Sequence, residues 1–307
     1  MATEPVRPAS FAAQWQLGAR DASGAFEALL VLADPTPFAG HYPGTPILPG
    51  NLLVEALFQA AAAALGGLWR LEEIGSARFQ APLLPGDTLR AKFTVTDDGA
   101  SKVVEATAEG RAEAGAFRLK LGRADASAQI VEPAREVRAG LTWEQAEREG
   151  RAIEPAFIRR VLPHRFPILL LDRAVLADAT SNKPVLVARK AVTIDEPCYS
   201  APGEFATFGY PASLLVESFV QACGILKAST SPAGEARDPS KVPVIAKLAK
   251  LRFPAEAQPG DVLEHRVRLA ARMPDGAVFA GETVAGGRVV LQAERIVAAT
   301  TQMPSAR

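Results

Sequence analysis

The sequence is short of most residues that announce a special chemistry. Its 307 residues include two cysteines, three histidines, three tyrosines, three tryptophans and three methionines. Cys198 and Cys223 cannot build a disulfide framework and lack metal-type spacing, so no metal is expected and the thiols fit a reducing compartment. An excess of one charge is also missing. With 34 basic and 34 acidic side chains, nothing in bulk electrostatics draws the chain to nucleic acid or an anionic membrane. The opening MATEPVRPAS has no apolar core of the kind a secretion signal needs. The longest apolar stretch, LLVEALFQAAAAALGGLW, is interrupted by Glu55 and Gln59 and ends in Gly-Gly. It reads as a core helix rather than a membrane span. On these features a cytoplasmic location is the expectation.

What is present is a long internal repeat. LLVEALFQA at 52–60 returns as LLVESFVQA at 214–222, and RFQAPLLPGDTL at 78–89 returns as RFPAEAQPGDVL at 252–263. The second offset is longer, and the polar stretch 229–240 is the natural seat of the insertion, because loops tolerate length change. The period is that of a duplicated domain. We place lobe 1 at 10–131, a linker at 132–153 and lobe 2 at 154–302. Each lobe reads as a strand, a Pro/Gly-rich loop, an apolar helix and several alternating segments suited to antiparallel strands. Each helix is apolar nearly all round, so other structure must wrap it. Its two polar residues, Glu55 with Gln59 and Glu217 with Gln221, are four apart and share a face. Asn51 and Ser213 are the expected N-caps.

One of the three histidines, His41, stands in GHYPGTPILPGNLLVE (40–55), fourteen residues before Glu55. This stretch resembles the signature of the hotdog-fold (3R)-hydroxyacyl-[acyl-carrier-protein] dehydratases. LPHRFPILLLDR (162–173) is similar to the N-terminal segment of the same family, and it occurs in lobe 2 without an evident counterpart in lobe 1. The resemblance implies an α+β double hotdog: two antiparallel sheets, each wrapped around a central apolar helix, as in polyketide synthase dehydratase domains. It also implies composite sites, a histidine of one lobe facing an acid of the other.

His41 with Glu217 makes one complete pair. At the position matching His41, lobe 2 has Gly203, so the Gly203–Glu55 half-site is expected to be inactive. By the resemblance, Gly50 is the oxyanion donor, Ala212 is its lobe 2 counterpart, and Gln221 orients the carboxyl of Glu217. Loss of water from a 3-hydroxyacyl thioester needs a base for the C2 proton, which His41 supplies, and a proton for the departing C3 hydroxyl. Desolvation on an apolar helix is expected to raise the pKa of Glu217 and keep it protonated, against the helix dipole. His164 is read as part of a structural segment and His265 as facing solvent from a strand. Tyr210 and Cys223 are weak candidates for lining a second tunnel. No cofactor is implied. The implied partner is acyl carrier protein, with Arg159, Arg160, Arg165, Lys247, Lys250 and Arg252 as a candidate docking patch. The chain is expected to be a monomeric double hotdog or a dimer of it. A hotdog thioesterase, an enoyl isomerase and a non-catalytic carrier-protein partner are the alternatives.

Overall fold

The computed structural model describes residues 7, 9–44, 46–124, 141–178, 184–200, 205, 207–231 and 241–302. Gly203, the end of lobe 1 at 131 and most of the insertion at 229–240 lie outside the described residues.

Lobe 1 contains β1 (Trp15–Leu17), β2 (Ala25–Val31), helix α1 (Gly50–Leu65), β3 (Trp69–Phe79), β4 (Thr88–Asp98), β5 (Ser101–Glu109) and β6 (Glu113–Arg123). The alternation seen in the sequence sorts into two faces: along β4, Leu89, Ala91 and Phe93 are buried while Arg90, Lys92 and Thr94 are exposed. The inner face closes over α1, where Ala56, Leu57, Ala60 and Ala61 are fully buried. Each large side chain buried this way contributes roughly 1.5–3 kcal/mol. Phe26 and Phe93 stack on neighbouring strands with ring centroids 4.5 Å apart.

Next along the chain are α2 (Trp143–Glu149), β7 (Arg151–Ile153) and α3 (Pro155–Val161). Thr142 caps α2 in a reciprocal box with Gln145, and the guanidinium of Arg189 lies 4.5 Å from the ring centroid of Trp143. Although β7 falls in the stretch read as linker, it pairs with the first long strand of lobe 2. Lobe 2 continues with β8 (Arg173–Asp178), β9 (Val185–Ala191), α4 (Ala212–Thr230), β10 (Lys241–Arg252), β11 (Val262–Met273), β12 (Gly276–Ala285) and β13 (Arg288–Gln302). Its core helix buries Val216, Phe219, Ala222, Ile225 and Leu226 completely.

The two sheets are one. β3 pairs antiparallel with β10, giving a continuous 13-stranded order β1-β2-β4-β5-β6-β3-β10-β13-β12-β11-β9-β8-β7. At this seam Ala77 faces Leu248 and Ile74 faces Leu251, all of them buried. On the exposed side Arg252 pairs with Glu73 and Glu294, and Lys250 with Glu294, so much of the charge of that candidate patch is already neutralised. The seam brings α1 and α4 into contact, their first turns side by side.

Candidate active site

Both core helices start at a proline. Pro49 and Pro211 occupy the N-cap positions, with no side-chain cap bond, in place of the expected Asn51 and Ser213. The first helical N–H groups, including those of Gly50 and Ala212, therefore have no intrahelical acceptor. A Cβ on Gly50 would come within 2.9 Å of the Phe79 ring, so the glycine lets that ring pack against the helix start. Asn51 and Ser213, relieved of capping, reach across to the other lobe. Asn51 Nδ2 donates to Glu217 Oε2 at 2.9 Å, and Ser213 Oγ donates to Glu55 Oε2. Each acid is thus held by the opposite helix.

His41 is carried by a loop of lobe 1 fastened to lobe 2. Arg165 N–H donates to Gly40 O at 2.8 Å. Gly40 has a φ of +75°, and a Cβ there would lie 2.2 Å from Arg165 O, so only glycine fits. Tyr42 is also left-handed, at φ 56°, and its hydroxyl donates to Pro243 O. His41 Nδ1 lies 2.9 Å from Ile47 O. A carbonyl can only accept, so Nδ1 carries the hydrogen and Nε2 is the basic atom.

This fastening brings His41 beside His164, with ring centroids 5.3 Å apart. His164 Nε2 is 3.2 Å from Glu217 Oε1. Gln221 Nε2 donates to the same oxygen at 3.0 Å and to Ile168 O at 2.7 Å, and Gln221 Oε1 accepts from Leu170 N–H at 3.0 Å. His41, His164, Glu217 and Gln221 are all buried.

Burial pushes His41 down to about 4, with His164 adding to the effect and Glu217 opposing it, so its imidazole is neutral at pH 7. For Glu217, burial is the largest single influence and pulls upward, as expected. The hydrogen bond and charge of His164, the charge of His41 and the Gln221 bond together outweigh it and hold the carboxyl at about 2. The expectation of a protonated Glu217 is therefore reversed, because it left out His164.

The second half-site repeats the scaffold without the histidines. Ala13 N–H donates to Gln59 Oε1 at 2.9 Å, and Gln59 Nε2 donates to Phe11 O at 2.8 Å, as Leu170 and Ile168 do with Gln221. Phe11–Ala13 is thus the lobe 1 counterpart of Ile168–Leu170, so degraded that sequence comparison missed it. Four residues before Ile168 stands His164; four before Phe11 stands Arg7, which pairs with Glu256 instead. Glu55 accepts from Ser10 N–H and Ser213, and burial, the largest influence, raises its pKa. Tyr210 donates to Glu196 Oε2 at 3.0 Å, and Lys190 Nζ holds Glu196 Oε1 at 2.8 Å, joining two buried side chains to a half-buried acid.

Two histidine assignments are corrected. His265 is fully buried rather than solvent-facing, with Nδ1 2.8 Å from Thr283 Oγ1, and burial pushes it to about 3. The alternation along β11 could have placed it inside, since Leu263 and Val267 bracket it on one face. His164 belongs to the site. Its presence only in the lobe that carries Glu217 was the available signal. Cys223 is buried in the core, and Arg159 and Arg160 remain exposed on α3. Among the described residues no helix is long and apolar enough to cross a membrane.

Comparison with known proteins agrees with this architecture. Residues 21–114 match the ApeI dehydratase family (ApeI-like) and residues 162–294 match the FabA-like domain. The chain is 34% identical over 155 residues to the 3-hydroxyacyl-[acyl-carrier-protein] dehydratase FabZ of Actinobacillus pleuropneumoniae serotype 5b (strain L20), covering 50% of this chain and 96% of that protein. It is 33% identical over 139 residues to the FabZ of Xanthomonas campestris pv. campestris (strain B100), covering 45% and 86%. Among solved structures, the dehydratase domain from the CurJ module of curacin polyketide synthase superposes with a TM-score of 0.63 at 15% identity, over 94% of this chain and 96% of that one. The dehydratase domain of PpsC from Mycobacterium tuberculosis, in complex with C12:1-CoA, superposes at 0.61 with 16% identity, over 93% and 97%. These last two likenesses concern the fold.

Proposed function

Because the chain belongs to the 3-hydroxyacyl-[acyl-carrier-protein] dehydratase family, we propose that it removes water from a 3-hydroxyacyl thioester at a single site built from both lobes. The product is the trans-2-enoyl thioester, and the setting is fatty acid or polyketide-type biosynthesis. The observation that carries the single-site reading is the unequal pair of half-sites. The ring of His41 stands 5.3 Å from that of His164, which contacts Glu217, while Glu55 is locked to Ser10 and Ser213 with no histidine beside it.

In this reading neutral His41 takes the C2 proton on Nε2. The thioester oxygen gains negative charge as that proton leaves, and a free N–H at a helix start stabilises it. Gly50 is one candidate donor and Ala212 the other. Glu217, held by Asn51 and Gln221, works at the C3 hydroxyl. The acyl chain is delivered as a phosphopantetheine thioester by acyl carrier protein, with exposed Arg159 and Arg160 complementing its acidic surface. The protein works in the cytoplasm. One chain supplies both halves of the site, so no second copy is required.

The test is incubation of the protein with a 3-hydroxyacyl thioester on acyl carrier protein, read by mass spectrometry. Loss of water supports a dehydratase, while free thiol marks a thioesterase. An unchanged mass together with carrier-protein binding marks a non-catalytic partner.

A further inference from the structure

The reaction asks for a proton donor at C3, yet the only acid among the described residues of the site has both carboxyl oxygens engaged by neighbouring side-chain nitrogens. The proton must therefore be stored beside Glu217 rather than on it. Glu217 Oε2 is engaged by Asn51, a neutral amide, and Gln221 on Oε1 is neutral too. His41 is the base and must start empty. Tyr42, whose ring centroid is 5.8 Å from that of His164, is committed to Pro243 O. Arg165 has its guanidinium turned to the backbone carbonyls of Leu162 and His164. That leaves His164, with Nε2 3.2 Å from Glu217 Oε1 and a buried Nδ1 that has no hydrogen-bond partner among the described residues.

Resting on the dehydratase reading, we infer that His164 is the proton store of the site, a positioning residue that acts through Glu217. The proton balance closes. The C2–H bond breaks and its proton goes to His41 Nε2. As the C3–O bond breaks, the Glu217 carboxyl passes a proton to the leaving hydroxyl, forming water, and His164 Nε2 supplies that proton to the carboxyl. His41 is left protonated and the Glu217–His164 pair one proton short. The site resets when the product leaves: His41 gives up its proton to solvent and the Glu217–His164 pair takes one up from it. No oxidant, metal or cofactor enters.

The chain carries its own control. Glu55 and Gln59 keep the acid and its amide, but Arg7 stands in the place of His164 and pairs elsewhere. There burial dominates and Glu55 is raised, whereas Glu217 is lowered beside two histidines, of which His164 is the one in hydrogen-bond contact with it.

The decisive variant is His164→Gln, which can place an amide near Nε2 but cannot hold a proton. Its kcat/KM is followed against pH beside wild type, His164→Ala and Glu217→Gln. We expect a drop of about 10²-fold at pH 7.5, with activity recovering toward acid as Glu217 alone takes up the proton. A profile scaled down without moving, or one left unchanged, overturns the inference while the dehydratase reading stands. Absence of water loss in wild type sinks the reading itself. The inference is then still judged by infrared difference spectra against Glu217→Gln. His164→Gln, or His164→Asn if the first does not fold, must show a Glu217 protonated-carboxyl band at a pH where wild type lacks it. No such band overturns it, and wild type alone decides if neither variant folds, since a protonated Glu217 at neutral pH also overturns it.

Discussion

Gly40→Ala tests whether the fastening between lobes positions the base. The added Cβ would lie 2.2 Å from Arg165 O, against the 3.0–3.4 Å of tight real contacts, so the loop has to retreat by about 1 Å. A left-handed alanine costs about 1–2 kcal/mol, and losing the Arg165 N–H bond to Gly40 O costs about 0.5–1.5 kcal/mol more. Together these come to about 1.5–3.5 kcal/mol, so the melting temperature should fall by about 3–14 °C, at about 2–4 °C per kcal/mol. Activity should suffer far more. A displacement of 1 Å in a reacting group costs on the order of 10²-fold, so kcat/KM should fall about that much with the circular dichroism spectrum unchanged. The assay is steady-state dehydration of a 3-hydroxyacyl thioester, alongside thermal melts of both proteins. A variant that retains kcat/KM within about twofold would refute the claim that this contact aims His41.

Four further outcomes follow from the same geometry. Glu217→Gln should lower kcat by about 10²–10⁴-fold, while Glu55→Gln should leave most activity, and the reverse result would put the working acid in the other lobe. Activity should hold through neutral pH and fail only near pH 4–5 as His41 protonates, because its imidazole is pushed to about 4; an acid limb near the ordinary histidine value would contradict this. Stability should fall on acidification. His41 and His265 have depressed folded values, about 4 and about 3, so between the unfolded histidine value near 6.5 and those values the unfolded chain binds more protons. Glu217, lowered to about 2, contributes stability above its unfolded value that is lost as pH falls toward 2. Melts from pH 7 to pH 4 should show a steady decline, smaller in His265→Leu/Thr283→Val. Lys190→Met should destabilise by about 1.5–3 kcal/mol, because it leaves half-buried Glu196 with only the Tyr210 hydroxyl and the Thr193 N–H, and Lys190→Met/Glu196→Gln should recover much of it in denaturant titrations.

Much of the architecture was legible in the sequence because it is written in periodic patterns. The repeat, the apolar helices and the alternating strands each rest on several residues, so one unusual side chain does not hide them. The continuous sheet was less visible, since the pairing of β3 with β10 depends on long-range register. In the candidate site, His41 was expected from the lobe 1 signature and Glu217 from the repeated helix. His164 was not, because its significance lies in a contact between residues 53 positions apart. The pKa of Glu217 went wrong for the same reason. A carboxyl on an apolar helix reads as desolvated, and only the fold adds the imidazole. Asn51 and Ser213 misled because each helix start already had its proline, which freed those side chains for the opposite lobe.

The seam between β3 and β10 has a consequence for how such a protein can change. In a symmetric pair of identical subunits, any substitution is made twice, and a residue that improves one site alters its mirror image. Here equivalent positions hold Asn51 and Ser213, or His164 and Arg7, and each can drift alone. Joining the halves into one polypeptide lets one half-site become scaffolding. The other can then be tuned to a single acyl chain per molecule, with no twin to compromise.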